Sequence, residues 1–419
     1  MSDDMLAQAV AALEEGDPQG AARCLRFASQ DGELARDEAR LRTLLEVVRG
    51  IGEAMEIEEL RTTAEAAREL EPQALYDVGF ALVEVGLPEV AVPPLQCLDR
   101  LLPGQQAVVS ELASALERAT RHAEARDVLL GNPDLHEDFW IRYLIVFNAL
   151  AAGDLGTARA RIGALAPDGE DQGGAAERVR AMVRRAERLA GHEPLGLREW
   201  QYLLNGFVLL HLSPYGFEEG MAGRYAWGQD SVGAIRRDLL ALVAALRETD
   251  ALPVAVLEVP ERGSRIVAQA LARLLDVPVR PFAPGAEGLL AVYDLGSLSE
   301  LPEDTLGALL GRGGEGLFAR ALCWTEEPPL IPSWVGLLAQ SWTAPWAGGL
   351  RMGADGPFEA PPSDEPDAVW VERILAADSD DDEVAPGDDP AARAAFMASA
   401  RPEPGDMLLE GPVRSSRFG

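Results

Sequence analysis

The chain contains no lysine; all 37 of its basic residues are arginine. That absence removes the P-loop lysine, the Schiff-base lysine and the kinase-type lysine together. Cysteine is scarce as well. Cys24, Cys97 and Cys323 are far apart and odd in number, which suits buried free thiols better than a disulfide frame. No apolar run reaches the ~18 residues of a membrane span. The opening "MSDDMLAQAV" has acids where a secretory leader carries basic charge, so a cytoplasmic chain is expected. Histidine is limited to His122, His136, His192 and His211, none at metal-ligand spacing from another or from cysteine. There is no Gly-x-Ser-x-Gly elbow. "DSDDDE" lacks the glycine and the distal glutamate of a calcium loop. No metal or cofactor is expected.

What is abundant is acid. The net charge of −32 argues against nucleic acid and anionic membrane as partners, because phosphate binding needs clustered cations. It favours a protein or peptide partner, a basic one above all.

The first 190 residues read as helix after helix. "MLAQAVAALEEGDPQGAARCLRFAS" breaks at Gly16-Asp17-Pro18 and resumes in register. The pattern returns in "PQALYDVGFALVEVGLPEVAVPPLQCLDRLLPG", with a turn at Gly86-Leu87-Pro88. It returns again in "DFWIRYLIVFNALAAGDLGTARARIGALAP", with Gly153-Asp154 at the turn. A shorter unit, "VVSELASALERATRHAEARDVLLGNP", lies between them. Helix pairs, small residues early in the second helix and a period near 34 resemble the tetratricopeptide repeat. A generic helical solenoid reads the same pattern. The next helix carries Arg178, Arg180, Arg184, Arg185 and Arg188: a solvated face, or a contact for an acidic segment such as this chain's own tail.

From about Leu195 the texture alternates. "PVAVLEV", "SRIVAQALARLLD", "VPVRPF", "GLLAVYDL", "PEDTLGALLGR" and "LFARALCWT" predict strands and helices in turn, hence a parallel sheet with covering helices. "SVGAIRRDLLALVAALRE" predicts a helix capped by Asp230 or Ser231. After about Trp346 the sequence turns rich in Pro, Gly and Asp, with seven acids and no base between Asp378 and Asp389. Disorder is expected there, apart from a short helix over Asp367–Ala377 docking through Trp370, Ile374 and Leu375.

Within the alternating region, "VAVLEVPERGSRIVAQALARLLDVPVRPF" followed by "LLAVYDLGSLSE" resembles the core of type I phosphoribosyltransferases. The resemblance implies a pyrophosphate turn at Pro260, Arg262, Gly263 and Ser264, where a helix N-terminus supplies free N–H donors. It implies an acid pair and a 5′-phosphate cradle after the next strand. Here the pattern is eroded. Tyr293 replaces the first acid, Asp294 alone remains, and Leu298 and Glu300 enter the cradle beside Gly296 and Ser297. Asp294 has a plainer use, capping its own turn. The weak ligand-site candidates are therefore Arg262, Gly263, Ser264, Asp294 and Ser297, and no catalytic residue is assigned.

Tryptophan clusters late in the chain. "IPSWVGLLAQSW" puts Trp334, Leu337, Leu338 and Trp342 on one face of a predicted helix. Core packing is one use of that face; a protein-binding surface anchored by Trp334, Trp342 and Trp370 is the other. The expected architecture is multidomain α plus α/β. A solenoid of helix pairs covers 1–190, a parallel-sheet domain of phosphoribosyltransferase-like or Rossmann-like kind covers 195–347, and a mostly disordered acidic tail covers 348–419. The expected function is a non-catalytic adaptor. The alternative is a divergent phosphoribosyltransferase-like or phosphate-binding enzyme.

Overall fold

Short turns punctuate the amino-terminal sequence, and each one produces a helix pair. The computed structural model describes residues 2–216, 221–312, 316–353, 355–378 and 385–405. The pairs are α1 (Ser2–Glu14) with α2 (Pro18–Ala28), α3 (Glu38–Ala54) with α4 (Glu58–Ala67), and α5 (Pro72–Glu84) with α6 (Pro88–Leu101). Then come α7 (Gln106–Arg118) with α8 (His122–Leu130), and α9 (Phe139–Ala151) with α10 (Leu155–Ile162). Successive pairs start 36, 34, 34 and 33 residues apart. Each turn reverses the chain through one residue of positive φ: Gly16, Glu56, Gly86, Thr120 and Gly153. Asp17 and Asp154 cap their second helices by accepting from the Gly20 and Thr157 N–H groups. Every helix packs on the next in chain order, and small residues set the spacing. A Cβ on Gly79 would meet the Leu95 side chain at 2.6 Å, and one on Gly52 would meet the Arg61 backbone N at 2.6 Å.

Helix α11 (Glu170–Arg188) follows. The chain divides inside it into two compact units, one covering Met1–Arg180 and the other beginning at Ala181.

The second unit opens with α12 (Leu197–Asn205) and β1 (Val208–Leu209). β2 (Tyr225–Gln229) leads to α13 (Val232–Glu248), capped by Ser231 as expected through its bond from the Ala234 N–H. Then follow β3 (Val256–Glu258), α14 (Arg262–Leu275), β4 (Val279–Pro281), β5 (Leu289–Asp294), α15 (Glu303–Arg312), β6 (Leu317–Leu322) and β7 (Trp334–Thr343). Every strand pairing in this sheet is parallel, in the order β1-β7-β6-β5-β3-β4, with β2 on the far half of β7. Helices α13 and α14 cover one face. Leu257, Leu290, Val292, Ala319 and Val335 face the other core, packed with Leu298 and Leu309.

Two expectations need correction. "SWVGLLAQSW" is strand β7, not a helix. Trp334 to Ala339 are buried without a break, because a strand covered on both faces has no polar side and imitates a helix in sequence.

The region 348–419 also holds more structure than its composition predicts. Besides the expected helix, α16 (Asp367–Ala376), it contains an antiparallel hairpin of β8 (Gly349–Gly353) and β9 (Gly356–Ala360) and helix α17 (Pro390–Ser399). Trp370, Ile374 and Phe396 are buried there, which supplies the apolar area that offsets ordering. Of the acid run, residues 379–384 lie outside the described residues, as do 406–419. Among the described residues no helix is long and apolar enough to cross a membrane.

Candidate functional site

In an open parallel sheet, ligands bind beyond the carboxyl ends of the strands where the strand order reverses. Here the chain leaves β3 for β4 on one side and returns to β5 on the other, so the reversal lies between β3 and β5. The sequence candidates fall at this place. Arg262, Gly263 and Ser264 open α14 just after β3; Asp294 ends β5 and Ser297 follows it.

The geometry fills the site from within. Helix α14 starts at Arg262, and the Glu261 carboxylate accepts from the Gly263 N–H (2.7 Å) and the Ser264 N–H (2.6 Å). Those are the donors that a pyrophosphate would take. Gly263 permits close approach of helix to strand, since a Cβ there would lie 2.9 Å from Tyr293 Cβ. The Ser264 hydroxyl is fully buried and accepts from the Tyr293 N–H (3.1 Å). The Arg262 guanidinium donates to the Ser363 carbonyl (2.6 Å) and the Glu365 carbonyl (2.6 Å), and pairs with Asp367 (3.2 Å) at the start of α16.

The second half is acidic. Asp294 accepts from the Gly296 N–H (3.1 Å), and its carbonyl accepts from the Ser297 hydroxyl (2.6 Å), so both residues build the turn. Burial raises the Asp294 pKa, and Glu261 and Glu300 raise it further against the bonds from Gly296 and Ser297. Three carboxylates thus share the place where a phosphate would sit.

Tyr293 points into the sheet–helix interior. Its hydroxyl donates to Asp230 Oδ2 (2.9 Å). Asp230 also accepts from Arg320 (2.9 Å), which pairs with Asp238 (3.1 Å) on α13. All four side chains are buried. Burial raises the Asp230 pKa against the pull of Arg320. The sequence signal for this cluster was Arg320 itself, a charge inside the buried strand "LFARAL". Glu261 was equally readable as a helix cap, inside the stretch from Pro260 to Ser264 assigned to phosphate.

The tryptophan candidates separate. Trp334 and Trp370 are buried and pack the core. Trp342 is half-buried, 5.6 Å from the Arg320 guanidinium and 5.1 Å from the Tyr225 ring. The helical unit exposes aromatic rings of its own: Phe27 on α2 is 56% exposed. Trp140 on α9 is 47% exposed and Phe80 on α5 is 44% exposed. Trp140, Tyr143 and Phe147 form a ladder along α9, with centroids 5.9 and 6.1 Å apart. A cavity of 540 Å³ lies in the same unit, where Leu13 of α1, Thr43 and Glu46 of α3, and Arg68 contribute to its lining.

The chain matches no known family, no curated protein and no solved structure.

Proposed function

We propose that this protein is a non-catalytic adaptor. The helix pairs act as a repeat arm of tetratricopeptide type, stacked as a solenoid, that holds a protein or peptide. The parallel-sheet unit is a degenerate phosphoribosyltransferase-like domain that serves as a second, structural body. The observation that carries the reading is the occupied N-terminus of α14. Glu261 takes the free N–H groups, and Arg262 is committed to residues 363–367. A phosphate ligand would have to displace an intramolecular carboxylate and sit among three acids. The regular spacing of the helix pairs and the exposed rings of Trp140 and Phe80 support the partner-binding half.

Calorimetry of the full chain with phosphoribosyl pyrophosphate and magnesium tests the reading. No isotherm is expected at micromolar concentrations, and no transferase turnover. A saturable micromolar isotherm that Asp294→Asn abolishes would sink the adaptor reading and promote the enzyme.

A further inference from the structure

Beyond α17 the chain runs through Arg401-Pro402-Glu403-Pro404-Gly405 without regular secondary structure. The two prolines restrict φ and favour an extended run. This run lies against α12 and the arginine-bearing end of α11, and the contacts follow a pattern. The Arg401 N–H donates to the Tyr202 hydroxyl (3.1 Å), which donates to the Arg401 carbonyl (2.9 Å). The Glu403 N–H donates to the Gly206 carbonyl (2.9 Å), and the Gly405 N–H to the Asn205 carbonyl (3.2 Å). Arg185 donates to the Glu403 carbonyl (2.8 Å). The Glu403 carboxylate takes Arg184 (2.6 Å) on one oxygen and Arg188 (3.0 Å) on the other.

The two sides of this contact are unequal. The receiving side is held by its own bonds. Arg185 is 2% exposed and is fixed by the Leu203 (2.9 Å) and Leu204 (3.0 Å) carbonyls. Gly206 has φ +80°, and a Cβ there would overlap the Glu403 carbonyl oxygen, so a bare backbone makes the seat. The arriving side is a short extended peptide that contributes main-chain groups and one acid. Its anion end is partly open to water: the Glu403 side chain is 27% exposed, and those of Arg184 and Arg188 are 44% and 37% exposed. Main-chain recognition with one charged side-chain reader is how extended peptides are bound in trans.

We propose that the cleft between α11 and α12 is a binding site for extended, proline-flanked acidic peptides, and that residues 401–405 are its resident ligand. A peptide of the same chemistry from a partner exchanges with the resident segment. This site is separate from the repeat arm and does not depend on it.

The test uses calorimetry on the full chain with a synthetic peptide spanning residues 399–405. In the wild type the tethered segment competes at an effective concentration near millimolar, so the free peptide binds weakly. Glu403→Ala removes the resident acid, and the peptide is expected to bind this variant at least tenfold more tightly than the wild type. The same peptide with glutamine for its glutamate is expected to bind the variant at least tenfold more weakly. Adding Gly206→Ala to the variant should abolish binding. No saturable binding to Glu403→Ala, equal binding to variant and wild type, or indifference to the glutamine change each overturn the proposal. Should Glu403→Ala lose its helical circular dichroism, Glu403→Gln, which keeps the shape, carries the same comparison.

Discussion

One buried carboxylate helps to tie helix α17 into the sheet unit. Asp388 is buried and pairs with Arg198, with Arg393 (3.2 Å) and with His211 Nδ1 (3.2 Å), and it accepts from the Leu212 N–H (3.1 Å). Burial alone would raise its pKa. His211, Arg198 and Arg393 outweigh burial and bring it down to about 2. A carboxylate depressed in the fold contributes stability above its unfolded pKa of about 3.9, and that stability fades as pH falls toward 2. Thermal melts of the wild type should therefore lose stability through this window. Asp388→Asn leaves Arg198 buried without its anion, at a cost of about 3–5 kcal/mol near neutral pH. The variant should also be flatter than the wild type between pH 4 and 2. A variant that melts like the wild type at pH 7 would mean that the pair does not hold the helix. None of this was readable in sequence. Asp388 sits in an acid run that looks solvated, and its partners Arg198 and His211 lie far earlier in the chain.

At the scale of elements, legibility followed periodicity and turn chemistry. Pairs joined by Gly16-Asp17, Gly86-Leu87-Pro88 and Gly153-Asp154 were plain, because glycine announces a left-handed turn residue. The α3–α4 turn uses Glu56 at φ 58° and the α7–α8 turn uses Thr120 at φ 60°, so neither carries that signal. Strand β7 was misread because burial on both faces erases the period that separates strand from helix. The turns also make a prediction. Thr120 is β-branched in a conformation that L-residues avoid at a cost of about 1 kcal/mol. Thr120→Gly is expected to stabilise the helical unit by about 0.5 kcal/mol, the relief being partly offset by the freer unfolded chain. Gly86→Ala should destabilise it by about 1 kcal/mol through backbone strain alone, since nothing lies within 4 Å of the added Cβ. Urea unfolding measures both. Loss of stability in Thr120→Gly would show that the threonine makes a compensating contact.

At the scale of the whole molecule, net charge and exposed aromatic rings bear on the partner proposed for the repeat arm. The net charge of −32 steers cations toward the surface over the screening length of the solvent. On the helical unit, Trp140 and Phe80 are exposed. Burial raises the pKa of the Glu111 carboxyl on α7; Arg118 opposes this and Glu84 adds to it, an environment that an incoming cation relieves. These observations favour a peptide with basic residues around an apolar anchor. Arrayed peptides offered to the full chain should give binders of that composition, and replacing their basic residues by neutral or acidic ones should abolish binding at this arm. Raising salt from about 50 mM to about 500 mM should weaken binding mainly through a slower on-rate, since exposed charges are screened while aromatic packing is not. Trp140→Ala should cost about 1–2 kcal/mol in affinity and leave the salt dependence unchanged, because it removes an anchor and no charge. If Trp140→Ala and Phe80→Ala both bind as the wild type does, the exposed rings of α9 and α5 are not the contact surface. If acidic peptides bind this arm as well as basic ones do, the charge argument fails with it.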